Sequence, residues 1–167
     1  MSRGFVKDGD QEEIPFVPPR AYLPPGVPNY VTPAGFEELL AEKQALIHEK
    51  EQSQSDNEND HRVSVNFINS KLELLDERIY SARIIKPEEQ PQNEIRFGAT
   101  VELLSADSNQ RQTFQLTGVD EADASQGKIS FVSPLAKALS NKKVGDKVLF
   151  KRAKDEVVYI IEKVSYL

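Results

Sequence analysis

Lys128-Ile-Ser-Phe-Val-Ser133-Pro134-Leu-Ala-Lys-Ala-Leu139-Ser-Asn-Lys-Lys-Val-Gly145-Asp146-Lys-Val148 puts two strand patterns, a helix start and a tight turn into about two dozen residues. Ser133 is suited to accept from the first free backbone N–H groups of a helix. Pro134 occupies the one position where a missing N–H costs nothing. Between residues 128 and 154 stand seven lysines and one arginine against a single acid, Asp146, in a chain of formal net charge −6. A basic face on an acidic protein points to an acidic partner.

The whole chain has 167 residues, 29% of them charged, and a mean hydropathy of −0.52, values that fit a protein with a modest core in one domain or two small ones. No run approaches the roughly 20 apolar residues of a membrane span, and the start Met-Ser-Arg-Gly-Phe-Val-Lys-Asp has no apolar region of a secretory signal. A cytoplasmic location, a monomer and no membrane contact are therefore expected. Without cysteine there is no disulfide, thiol nucleophile or thiolate metal site. His48 and His61 lie outside any zinc-ligand spacing and read as solvated helix residues.

Working outward to the start, residues 1–31 form an extended, Pro-rich arm holding six of the ten prolines behind an acidic run from Asp8 to Glu13. It reads either as a flexible tail or as a tether docked through Ile14, Phe16, Val17, Tyr22 and Leu23. Thr32-Pro33 then starts a helix to about residue 53, with Phe36, Leu39, Leu40, Leu46 and Ile47 on one face. The polar run 53–60 reads as a bend. Beyond it Val65, Ile68, Leu72, Leu75, Ile79 and Ala82 recur at heptad spacing. Two helices, each with one apolar stripe, predict an antiparallel helical hairpin of coiled-coil type over residues 32–86. Residues 87–95 read as a polar linker. From there the period changes to two, and Phe97–Leu104, Thr113–Val119, Lys128–Phe131, Lys147–Lys151 and Val157–Val164 read as strands. The fold class is α+β, with a small antiparallel sheet domain and one short helix over residues 96–167.

Phe97-Gly98-Ala99-Thr100-Val101, Phe114-Gln-Leu-Thr-Gly118, Asp120-Glu121-Ala122-Asp123, the Ile129-Ser and Ser133-Pro134 pairs, Val144-Gly145-Asp146 and Val164-Ser-Tyr166-Leu167 occur in one order. This order resembles the C-terminal domain of the bacterial Gre transcript-cleavage factors. The resemblance implies an FKBP-like domain that binds RNA polymerase at the rim of its secondary channel, with Ser133, Pro134, Lys137, Lys142 and Lys143 at the contact. It also implies that tip acids, here Asp56, Glu58 and Asp60, help hold a catalytic Mg²⁺ shared with the polymerase, with Asp56 and Glu58 as its ligands. The chain then needs no cofactor of its own and is not itself an enzyme.

The tip departs from the family pattern Asp-x-x-Glu-Asn-Ala-Glu-Tyr, reading Asp56-x-Glu58-Asn59-Asp60-His61-Arg62. The arms read shorter by roughly a dozen and roughly four residues, which retracts the tip by about 6–18 Å at ~1.5 Å per residue. Two roles follow: a Gre-type elongation factor that stimulates cleavage, or a regulator that occupies the channel without doing so, which the short arms favour. A prolyl isomerase is a distant alternative, since that chemistry needs an aromatic-lined pocket. Contact with DNA is expected to be indirect, given the acidic total.

Overall fold

The computed structural model describes residues 16–166. Strand β1 (Asn29–Val31) leads into helix α1 (Pro33–Gln52), followed by helix α2 (Glu58–Ser81) and strand β2 (Ala82–Ile84). The sheet strands are β3 (Thr100–Ser105), β4 (Arg111–Thr117), β5 (Lys128–Ser130), β6 (Lys147–Lys151) and β7 (Glu156–Ser165), with helix α3 (Pro134–Leu139) between β5 and β6.

The Thr32 side chain accepts from the Gly35 N–H at 2.9 Å, and Asn57 accepts from Asn59 N at 2.9 Å. Each cap satisfies one orphan donor and fixes a helix start. The helices lie side by side in opposite senses, with Lys43 of α1 bonded to Asp76 of α2 at 2.7 Å. Val31, Leu39, Leu46, Ile68 and Leu75 are buried between them, with Phe36, Leu72, Ile79 and Ala82 packed around that cluster. Val65 is half-buried at the distal end of the same stripe.

The five-stranded sheet has the order β5-β4-β3-β7-β6. It is mixed, which corrects the antiparallel expectation: β5 runs parallel to β4, with Gln115 opposite Lys128 and Thr117 opposite Ser130. The physical reason is the connection. Residues 118–127 include a 3₁₀ turn at Ala124–Gln126, whose start is capped by Asp123 and whose end is a left-handed Gly127. A hairpin would need only a tight turn, whereas this path carries the chain back along the sheet before β5 begins. Hydrogen bonds from Ser125 to the Asp123 carboxylate lower its pKa.

Val101, Leu103, Leu116, Ala136, Leu139 and Ile161 form the centre of the sheet's core. Ile95 is also fully buried there, and Glu94 bridges to Lys143, so the chain joins this core before the expected linker ends. The Tyr166 hydroxyl donates to the Glu94 carbonyl at 2.6 Å and accepts from Arg96 N at 2.8 Å. Burial pushes its pKa up.

A second small sheet was not anticipated. β1 pairs in parallel with β2, Asn29 opposite Ala82 and Val31 opposite Ile84. The end of the expected arm is thus a strand beside the chain leaving α2. Of the residues expected to dock the arm, Val17 and Leu23 are half-buried, but Phe16 and Tyr22 are 82% and 75% exposed, and Ile14 lies outside the described residues. Among the described residues, no helix is long and apolar enough to cross a membrane.

Candidate functional site

The Ser133 side chain accepts from Ala136 N at 3.3 Å, and Pro134 opens α3 at its first position. Ala136 and Leu139 are fully buried, which turns Pro134 and Lys137 outward. Asn141 then adopts a left-handed φ of 68° and ends the helix. Its N–H donates to the Ile95 carbonyl at 2.8 Å, while Ile95 N donates to the Lys142 carbonyl at 2.8 Å. The loop is thereby clipped to the core, and a rigid base presents Lys142 and Lys143. The turn into β6 is closed by Lys143 N donating to the Asp146 carboxylate at 2.8 Å, with Gly145 at φ 90°. A side chain at that φ would be strained.

Lys137, Lys142 and Lys143 stand in solvent around α3, none of them ion-paired among the described residues, whereas the exposed Lys147 alternates with buried Val148 and leaves the other side of β6. Lys128 does not belong to the α3 cluster. Its ammonium lies 3.5 Å from Glu121 and 4.0 Å from Glu38, at the opposite edge of the sheet. Lys151 is paired to Glu156 at 3.7 Å. Two apolar residues were missed in this region, Val144 at 56% and Leu149 at 52% exposed. The sequence held a signal for the second. In Val148-Leu149-Phe150 three apolar residues run in succession on a strand with one covered face, so the middle one must point outward.

The acids expected at the tip occupy two local settings. Asp56 lies in the bend, but α2 begins at Glu58, so Glu58 and Asp60 sit in its first turn. There they complement the partial positive charge of a helix start, which gives them a structural purpose. Residues two apart on a helix leave different sides of it. Glu58 and Asp60 therefore diverge. Arg62 donates to Asn59 at 3.2 Å within the same turn, adding a cation to the acidic tip. Among the described residues no group of three or more His, Asp or Glu side chains converges as a metal site.

An apolar cavity of about 260 Å³ lies between Thr32, Pro33, Ile85, Pro87 and Gly98, and its lining has no aromatic residue. Tyr30, Phe97 and Phe131 pack on one another at tilted and edge-to-face angles of 50–83°, with ring centroids 5.4–5.8 Å apart.

The family description "Transcription elongation factor, GreA/GreB, C-term" matches residues 90–166. Transcription elongation factor GreA of Thermodesulfovibrio yellowstonii is 32% identical over 151 residues, covering 81% of this chain and 96% of that relative. The GreA of Hyphomonas neptunium is 37% identical over 100 residues, covering 60% of this chain and 64% of the relative. Among solved structures, GreA factor homolog 1 (Gfh1) of Thermus thermophilus is 22% identical with a TM-score of 0.40, covering 81% of this chain and 97% of that one. The long match to the first relative, together with the pattern match over the sheet and α3, places the chain in the GreA/GreB family of transcription elongation factors.

Proposed function

We propose that the chain is a transcription elongation factor that binds RNA polymerase beside its secondary channel through the α3 face and occupies the channel without strongly stimulating transcript cleavage. The observation that carries the reading is the cluster of exposed lysines around α3, unpaired among the described residues, on a protein of net charge −6. Long-range repulsion from the acidic remainder is overcome only where the partner presents its own acids to that face. Val144, next to Lys142 and Lys143 in the chain, adds apolar area beside the charges, a composition suited to a protein partner rather than to a phosphate backbone.

The non-cleaving form is favoured by the tip. A Mg²⁺ ion held elsewhere and completed from outside needs carboxylates delivered together within a fraction of an ångström. Here Glu58 serves the helix start, while Asp56 stays in the bend before it. At about 1.5 Å per residue, α1 reaches only about 30 Å from the sheet domain.

Competition decides the binding claim. The full chain is expected to displace a labelled GreA from RNA polymerase in a titration, with little binding to DNA alone at physiological salt. Binding to DNA with no displacement of GreA would replace the reading with a nucleic-acid-binding one.

A further inference from the structure

We propose that the Pro-rich segment 18–30 is an intramolecular brace that fixes the angle of the helix pair on the sheet domain, with Arg20 and Asp120 as the positioning residues. The Arg20 guanidinium donates through both terminal nitrogens to Glu42 of α1, at 2.8 and 3.0 Å, and through Nε to Asp120 of the loop after β4, at 3.0 Å. One planar side chain thus ties a helix to the sheet domain. Arg78, in the last turn of α2, closes the cluster by donating to the Ala21 carbonyl and approaching the second Asp120 oxygen at 3.6 Å. The Asp120 side chain is only 8% exposed, and among the described residues Arg20 supplies the one hydrogen bond its carboxylate receives. A carboxylate at that depth needs its cations in place.

The same segment is bonded again at its other end. Asn29 donates to the Arg78 carbonyl at 3.0 Å and to Ser81 Oγ at 3.2 Å, which ties it to the end of α2. On the sheet side, the Tyr30 ring packs on Phe97 and Phe131. The Tyr30 carbonyl lies 2.5 Å from where a Cβ on Gly118 would stand, an approach only glycine permits. Pro18, Pro19, Pro24, Pro25 and Pro28 restrict the intervening backbone in advance, including a turn at Pro25-Gly26 closed by Val27 N donating to the Pro24 carbonyl at 3.2 Å, so little chain entropy is lost on docking. This gives the proline density a physical role. Because both ends of the segment grip both bodies, rotating the helix pair breaks bonds at each end.

The consequence for transcription rests on the polymerase reading above, since the angle decides where the tip lies once α3 is docked. The angle itself is measurable without polymerase. The chain has no cysteine, so His48→Cys on α1 and Lys163→Cys on β7, both exposed, accept spin labels selectively. In the full chain a single narrow distance distribution is expected between them. Arg20→Ala is expected to at least double its width, and Asp120→Asn, which keeps the side-chain shape, to broaden it as well. Arg111→Ala, which removes an exposed pair with Glu162 inside the sheet, should leave it unchanged. A width unchanged in either Arg20→Ala or Asp120→Asn overturns the brace. Failure of the wild type to bind polymerase would overturn the functional reading and leave these distances as they are.

Discussion

Ser133→Glu combined with Lys137→Glu is expected to weaken binding of the full chain to RNA polymerase by about 1–3 kcal/mol, roughly 5- to 150-fold. The loss comes from reversing charge on a face whose lysines have no acid of their own to satisfy among the described residues. Ser133 also caps α3, and its loss alone destabilises a helix start by about 0.5–2 kcal/mol. Lys137→Glu with Lys142→Glu leaves that cap intact and serves as the companion variant. Its affinity should fall by a similar factor, with the far-ultraviolet circular dichroism and melting temperature unchanged. Equal affinity of this variant and the wild type in a titration would remove α3 from the interface.

Leu75→Ala should lower the unfolding free energy by about 2–5 kcal/mol, whereas Glu73→Ala should cost under about 0.5 kcal/mol. Leu75 is 0% exposed in the seam between α1 and α2, where Val31, Leu39, Leu46 and Ile68 are the other buried members. Removing its side chain leaves a cavity that two helices pinned at both ends cannot close. Leu72 shares the heptad spacing but is only half-buried, so its truncation should cost less than that of Leu75. The heptad pattern alone ranks the two leucines equally. Urea titrations of the three variants test the order, and equal midpoints for Leu75→Ala and Glu73→Ala would contradict the packing.

Signals that act over a few residues were legible in the sequence. Thr32-Pro33 and Ser133-Pro134 mark where α1 and α3 begin, because a cap and a proline at the first position act locally. Contacts between distant residues were not legible. β1 and β2 are three residues each, too short to show a period, and they meet only because two helices return the chain to its starting point. The parallel pairing of β5 depends on how a ten-residue connection crosses the sheet, which periodicity does not encode.

In the candidate site, the lysines around α3 were readable as a charge imbalance. Lys128, in the same run, could not be told apart from them, because its partner Glu121 is placed by the fold. Asp120 and Glu121 read only as part of a family motif. Their links to Arg20 and Thr32 span 100 and 89 residues. The sequence extends the bend to residue 60 because Asn57-Glu58-Asn59-Asp60 is rich in turn formers. Those residue types are equally the cap and first-turn acids of a helix, and the structure uses them so.

Transcript cleavage in backtracked elongation complexes tests most directly whether this factor occupies the polymerase channel without driving hydrolysis. With Mg²⁺ present and the chain in excess over polymerase, the cleavage rate is expected to stay near that of polymerase alone, with Asp56→Ala plus Glu58→Ala changing it little. The wild type should at the same time suppress the acceleration given by an added GreA. Robust acceleration by the wild type that disappears in the double alanine variant would contradict the account, because it would mean that the two carboxylates do reach the catalytic metal together.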